Sequence, residues 1–349
     1  MEEFPTRPEQ VTREWLSAIL GTRVDGLRWE AIGTGQVADT VRLHLSGAPG
    51  LPATVAAKFP SADPVSRATA AMFGLYRKEV EFYRNVAPHL AVRLPRLHFA
   101  AVDGTGEAFV LVFEDCGPAR GGDQIAGCSL DDARAAMRAA AAIHAPSWGR
   151  GDLLEPDWLA PPPDQAERLC AMYPQAHSVF RDRYASLLEP EFMALCEELA
   201  ARREALFSRS DAPQCVVHGD YRLDNMLFAI RGGAEPIAIL DWQTVTAGRA
   251  MTDIGYFLGC GIGQLGITHE DELLGLYLAE MNRRGVALDD AAIERDYRLG
   301  ILHGVTTAVF SAAFVARTSR GDANFLSMAR GACALALHRD SLAPLREMA

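Results

Sequence analysis

The sequence predicts an α+β chain in two lobes, an antiparallel β-sheet lobe over residues 1–116 and a mainly helical lobe over residues 117–349. Three observations carry this expectation. Apolar residues alternate at a period of two through much of the first hundred positions, and at three- and four-residue intervals through most of the remaining chain. The nearly continuous apolar run AFVLVFEDCG (Ala108 to Gly117) ends in GPARGG (Gly117 to Gly122), as a buried strand leading into a linker does. A chain of 349 residues with 49% apolar content is also long enough for two lobes and a sizeable core.

Taken in order, TREWLSAIL (Thr12 to Leu20) predicts a short helix, with threonine as its N-cap and Gly21 closing it. LRWEAIGTGQVADTVRLHLSG then alternates on both sides of a Gly33/Gly35 turn and predicts a hairpin, and LPATVAAKFP predicts a further strand ending at Pro60. From Ala68 to Val86 the apolar residues Met72, Leu75, Val80, Tyr83 and Val86 predict one helix stopped by Pro88. Beyond the linker, DDARAAMRAAAAIHA, Glu191 to Ser208, Asp271 to Arg284 and most of the last seventy residues are expected to be helical, with APPPDQ (Ala160 to Gln165) as a loop.

Composition narrows the partners. The 34 basic and 45 acidic residues give a net charge of −11, which disfavours nucleic acid and anionic membranes. Seven scattered cysteines with no C-x-x-C pair indicate neither a disulfide framework nor a zinc site, and suit a reducing cytoplasm. No run of 18 apolar residues occurs and the N-terminal segment has no apolar stretch behind a basic start, so neither a membrane span nor secretion is expected.

One strand-like stretch interrupts the helical lobe. In VHGDYRLDNMLF (Val217 to Phe228) an aspartate and an asparagine frame an apolar segment; both are poor strand formers, so a loop presenting oxygen atoms is expected. NMLFAI, the turn RGGAEP and IAILDW then form a hairpin that brings Asn225 and Asp241 side by side at one end, with Asp220 just before it. Carboxylate and amide oxygens suit a hard divalent cation with phosphate, and one further carboxylate can position a hydroxyl and take its proton. That combination points to phosphoryl transfer. A metal-dependent hydrolase built on His218 and Asp220 would require further histidine ligands, and none stands at suitable spacing.

The HGD-x-x-x-x-N loop, the strand-terminal ILDW and the two-lobed pattern resemble the aminoglycoside phosphotransferase and choline kinase superfamily, which has a protein-kinase-like fold. The resemblance spans most of the chain. It implies Asp220 as catalytic base, Asn225 and Asp241 as Mg²⁺ ligands, and His218 as a brace of the loop. Upstream it implies Lys58 (TVAAKF) on the α/β-phosphates of ATP, Glu79 (YRKEVEFYRNVAP) paired with Lys58, Gly33 and Gly35 over the phosphates, and Glu114 to Cys116 as the hinge whose backbone meets the adenine. LVFEDCGPARGGDQIAGCS and AAIHAPSW further resemble ecdysteroid kinase-like bacterial proteins. Two departures stand out: Trp242-Gln243 follow Asp241 where protein kinases have Phe-Gly, and GTGQVADT lacks a third glycine.

Blander roles exist for each residue taken singly: a hairpin glycine pair, an edge-strand lysine, Glu79 paired with Lys78 or Arg84, His144 as packing, and Asp253 as a helix cap. The expected activity is ATP-dependent O-phosphotransfer to the hydroxyl of a small molecule. The segments following Asp241 and in the C-terminal helices are apolar and nearly free of acid, which favours a mainly apolar alcohol, steroid-like or hydroxyacyl. An aminoglycoside acceptor, or a catalytically silent nucleotide-binding regulator, is the alternative.

Overall fold

The computed structural model describes residues 4–34, 37–208, 212–315 and 317–348. Helix α1 (Arg13–Leu20) begins on the Thr12 side chain, which accepts from Trp15 N–H, and ends at Gly21. Strands β1 (Val24–Thr34), β2 (Ala38–Gly47), β3 (Thr54–Pro60), β4 (Leu97–Val102) and β5 (Phe109–Glu114) form one antiparallel sheet in the order β1-β2-β3-β5-β4. Lys58 lies in its middle, opposite Thr40 on β2 and Leu111 on β5. Alternation splits the sheet cleanly: Val55, Ala57, Phe59, Val110 and Val112 pack beneath α1, while Phe109, Leu111 and Phe113 face the large core shared with the helical lobe. Lys58 points with the second set, toward the junction of the lobes.

The single helix expected over Ala68 to Val86 is two. Helix α2 (Pro64–Met72) is capped by Asp63, and α3 (Leu75–Glu81) starts anew after Gly74, whose φ of 64° lies in the left-handed region. The break re-aims the chain, leaving Met72 79% exposed while Tyr76, Glu79 and Val80 are buried. A π-helical turn, Phe82–Val86, continues α3.

The linker is stitched to the second lobe through β6 (Arg120–Gly121), which pairs with β8 (Met226–Ala229); β8 in turn pairs with β9 (Glu235–Ile239) as the expected hairpin. Helix α4 (Leu130–Ser147) opens with a Ser129/Asp132 capping box. It is followed by α5 (Gly151–Leu154), α6 (Gln165–Tyr184), α7 (Pro190–Ala201) and α8 (Arg203–Leu206), the last two replacing the continuous helix expected over Glu191 to Ser208. Strand β7 (Cys215–Val217) pairs with β10 (Thr246–Gly248) and delivers the chain to the HGD loop. The short turn α9 (Ile230–Gly233) closes the β8–β9 hairpin, and α10 (Ala250–Tyr256), α11 (Gln264–Thr268), α12 (Glu270–Arg283), α13 (Asp290–Phe314), α14 (Ser319–His338) and α15 (Ala343–Arg346) complete the lobe. Among the described residues no helix is long and apolar enough to cross a membrane, and all seven cysteines are free.

Candidate active site

Where the lobes meet, Lys58 Nζ lies 3.0 and 2.7 Å from the two oxygens of Glu79 and 2.7 Å from Asp241 Oδ1. The sequence separations are 21 and 183 residues, so only the tertiary fold assembles this triad. Burial alone would lower the Lys58 pKa, but the two carboxylates outweigh it and raise it, holding a fixed positive charge. Glu79 is 1% exposed, and burial raises its pKa against the pull of Lys58. Asp241 sits at the mouth with a third of its side chain exposed, on a left-handed backbone (φ 61°, ψ 68°) just beyond β9. Such a conformation costs about 1 kcal/mol or more for a residue other than glycine and persists only where surroundings hold it. Here Trp242, stacked on Phe82 at 4.0 Å, is the anchor.

The second half of the site is the loop after β7. Asp220 accepts from Arg222 Nε (3.0 and 3.1 Å), from Asn225 Nδ2 (2.8 Å) and from the Tyr256 hydroxyl (2.8 Å). Burial would raise the Asp220 pKa, yet Arg222 and these donors pull it below the ordinary aspartate value. The group is therefore ionised at neutral pH. Asn225 spends its amide N–H₂ on Asp220, which leaves its Oδ1 as the acceptor available to a cation. Its backbone carbonyl accepts from Leu240 N–H (2.9 Å), the last bond of the hairpin, which sets Asn225 next to the residue before Asp241.

A buried network holds the loop in place. Gly219 has a φ of 81°, and a Cβ there would lie 2.6 Å from the Thr244 carbonyl, so the HGD glycine is required by sterics as well as by backbone angle. His218 donates Nε2–H to the Leu240 carbonyl (2.8 Å) and accepts from Asp220 N–H at Nδ1 (3.2 Å), bracing the loop as expected. Asp253 is not a cap. It lies inside α10, whose N-cap is Arg249, is 1% exposed, and accepts from the His218 (2.7 Å) and Gly219 (2.9 Å) amides and from His144 Nε2 (3.2 Å). Burial would raise its pKa, but His144 and the loop amides pull it below the usual value. His303 on α13 donates to the Gly219 carbonyl (3.2 Å); burial lowers its pKa and keeps the imidazole neutral.

Sequence reasoning missed Arg222, Tyr256 and His303. Arg222, sitting between Asp220 and Asp224 (2.6 Å from its Nη1), had a signal in its place two residues from the loop aspartate. The other two come from helices distant in sequence and carried none.

At Glu114 to Cys116, the expected hinge, the charged side chains turn aside. Glu114 points away into ion pairs with Arg93 and Arg231, and Asp115 pairs with Arg42 (2.5 Å). What Glu114 and Cys116 can offer a ligand is backbone, and the Cys116 carbonyl already accepts from Arg231 N–H (3.2 Å). Cys116 packs with Ile230, Ala238 and Leu227 in a small apolar cluster of its own. Gly33 lies in β1 opposite Thr40, beside an irregularity in register. Gly35 lies outside the described residues.

Among the described residues no three His, Cys, Asp or Glu side chains gather into a metal site of their own. The oxygens of Asn225 and Asp241 at the hairpin end nevertheless fit a hard cation such as Mg²⁺, which fills its remaining positions with water and phosphate oxygens.

A family model described as the phosphotransferase enzyme family matches residues 28–287. The mouse protein acyl-CoA dehydrogenase family member 11 is 43% identical over 47 residues, 14% of this chain and 6% of the mouse protein. Among solved structures, one from Ralstonia eutropha JMP134, provisionally named an aminoglycoside phosphotransferase, is 21% identical with a TM-score of 0.57, covering 93% of this chain and 98% of its own. Aminoglycoside 2'-phosphotransferase-IIIa in its GDP complex is 15% identical with a TM-score of 0.52, covering 89% and 94%. At these identities the likeness is one of fold, a β-sheet lobe on a helical lobe.

Proposed function

The chain belongs to the phosphotransferase enzyme family, and on that premise we propose that it transfers the γ-phosphate of ATP to a hydroxyl group of a small molecule. One observation carries the reading: a charged lysine bridges Glu79 and Asp241, and the hairpin that ends at Asp241 begins at Asn225, whose amide donates to an ionised Asp220. Nucleotide use agrees with related folds solved with GDP and, as a streptomycin–ATP complex, with ATP.

In this reading the Glu114 carbonyl and Cys116 amide meet the adenine edge, Gly33 and Gly35 cover the phosphates, and Lys58, held by Glu79, aligns the α- and β-phosphates. Asn225 and Asp241 hold Mg²⁺, which when bound supplies positive charge to the phosphate oxygens. Asp220 orients the acceptor hydroxyl and receives its proton. A carboxylate kept below its ordinary pKa is a weak base, so its main contribution is orientation, with the proton taken late, as suits a loose transition state. The free cysteines suit a cytoplasmic location.

For the acceptor we favour a mainly apolar alcohol, including a hydroxyacyl compound. Asp253, the one acid in the apolar segments flanking the site, is buried and committed to the loop, so it cannot pair with an ammonium group. The test is ATP consumption by wild type and Asp220→Asn across aminoglycosides, hydroxylated steroids and hydroxyacyl thioesters. Transfer to an apolar alcohol that Asp220→Asn loses, with nucleotide binding retained, supports the reading. Wild-type turnover in Asp220→Asn would remove that residue from the role, and phosphorylation of aminoglycosides alone would overturn the acceptor preference.

A further inference from the structure

Helix α13 presents a half-buried face that starts at the catalytic loop and runs away from it. His303, which bonds the Gly219 carbonyl and meets the Tyr256 ring edge-on at 5.4 Å, is its first residue. Thr307, Phe310 and Phe314 come next at helical spacing, each half-buried or exposed although α13 packs on α6, α10 and α14. The face is graded. Its loop end is polar, where Thr307 donates back to the His303 carbonyl (2.8 Å), and its far end is aromatic. There Phe310 stacks with Phe314 (6.0 Å) and packs against Tyr173 of α6 (5.4 Å), while Phe314 remains 55% exposed. Among the described residues the buried Tyr173 hydroxyl has no partner, and the one charged group that meets this end of α13, the Arg183 guanidinium, is spent on the Ala312 carbonyl. None of the four residues on the face is acidic, which makes it unsuited to a polycation.

Resting on the phosphotransferase reading above, we propose that this face of α13 is the acceptor subsite: the hydroxyl lies by Asp220 and His303, and an apolar tail runs along Thr307 and Phe310 to Phe314. The helix from His303 to Phe314 spans about 16 Å at roughly 1.5 Å per residue, enough for an extended alkyl tail. The subsite therefore selects alcohols by tail length, a property that the Asp220 loop by itself cannot supply.

The experiment measures ATP-dependent phosphorylation of homologous secondary alcohols whose tail grows from ethyl to dodecyl, the longer tails being those that reach Phe314. Each methylene that reaches the face should lower KM about fourfold, with kcat nearly constant. Phe314→Ser changes an exposed residue, so the fold should tolerate it, and it should raise KM for the dodecyl alcohol by about tenfold and for the ethyl alcohol far less. Val65→Ser, an equally apolar exposed position on α2 (73% exposed), is the control and should behave as wild type. A KM independent of tail length, or a length dependence unchanged in Phe314→Ser, overturns the proposal while leaving phosphotransfer standing. If no alcohol is phosphorylated, the phosphotransferase reading of the acceptor has failed separately. Calorimetry with the dodecyl alcohol then decides the subsite: binding weakened by Phe314→Ser supports it, and absent or unaltered binding overturns it.

Discussion

Replacing Tyr256 with phenylalanine isolates one contact of the site. Tyr256 is fully buried, its ring packs against His303, and its hydroxyl donates to Asp220 Oδ1 at 2.8 Å. Phenylalanine keeps the ring and removes only that donor. A hydrogen bond to a charged acceptor contributes roughly 1.5–3 kcal/mol, and its loss should let the Asp220 pKa rise, since the Tyr256 hydroxyl is one of the groups that hold it down. The sign comes from linkage. Asp220 is held below its unfolded value, so its contribution to stability is present above the unfolded pKa and fades as pH falls through the folded one. Tyr256→Phe should thus lose about 2 kcal/mol in urea denaturation at pH 7, with the deficit shrinking in acid, where a neutral carboxyl gains less from the hydroxyl. If Asp220 must be ionised for transfer, the ratio of kcat/KM at pH 5 to that at pH 8 should fall in the variant. Unfolding free energy within about 0.5 kcal/mol of wild type at pH 7, a change typical of a neutral surface substitution, would refute the reasoning.

Asp253→Asn keeps the volume but turns an amide N–H₂ toward the His218 and Gly219 amides, so we expect a loss of about 3 kcal/mol or more in chemical denaturation together with loss of turnover; wild-type stability would show that the loop does not depend on it. Lys58→Ala strands the buried Glu79 carboxylate, costing about 3–5 kcal/mol at neutral pH. Because burial already raises the Glu79 pKa, the folded state binds its proton more readily than the unfolded one, and the variant should regain stability as pH is lowered from 8 to 5; a pH-independent deficit would argue against a stranded carboxylate. Asp241→Ala should weaken Mg²⁺-dependent ATP binding more than Asn225→Ala, since a carboxylate meets the ion with full charge and an amide does not, and equal negligible losses in calorimetric titration would contradict the proposed metal ligands.

The local features of the chain were legible in its residues. Thr12 and Gly21 delimit α1, the alternation around Gly33 specifies the first hairpin, and NMLFAI-RGGAEP-IAILDW specifies the second, because side-chain period and turn chemistry act over a few residues. The spacing of Asp220, Asn225 and Asp241 came from that second hairpin, and the resemblance carried Lys58 and Glu79 to the same site. Other features depend on contacts between distant segments. The break at Gly74 escaped periodicity because Met72 and Leu75 continue the apolar rhythm across it, and only the packed sheet shows that Met72 faces outward. Asp253 read as a cap because its partners, the amides of His218 and Gly219, lie more than thirty residues away. Tyr256 and His303 reach Asp220 and Gly219 across 36 and 84 residues. Such partners leave no periodic trace in sequence, since a buried tyrosine or histidine packs equally well in any helix core until the tertiary fold decides which polar group it meets.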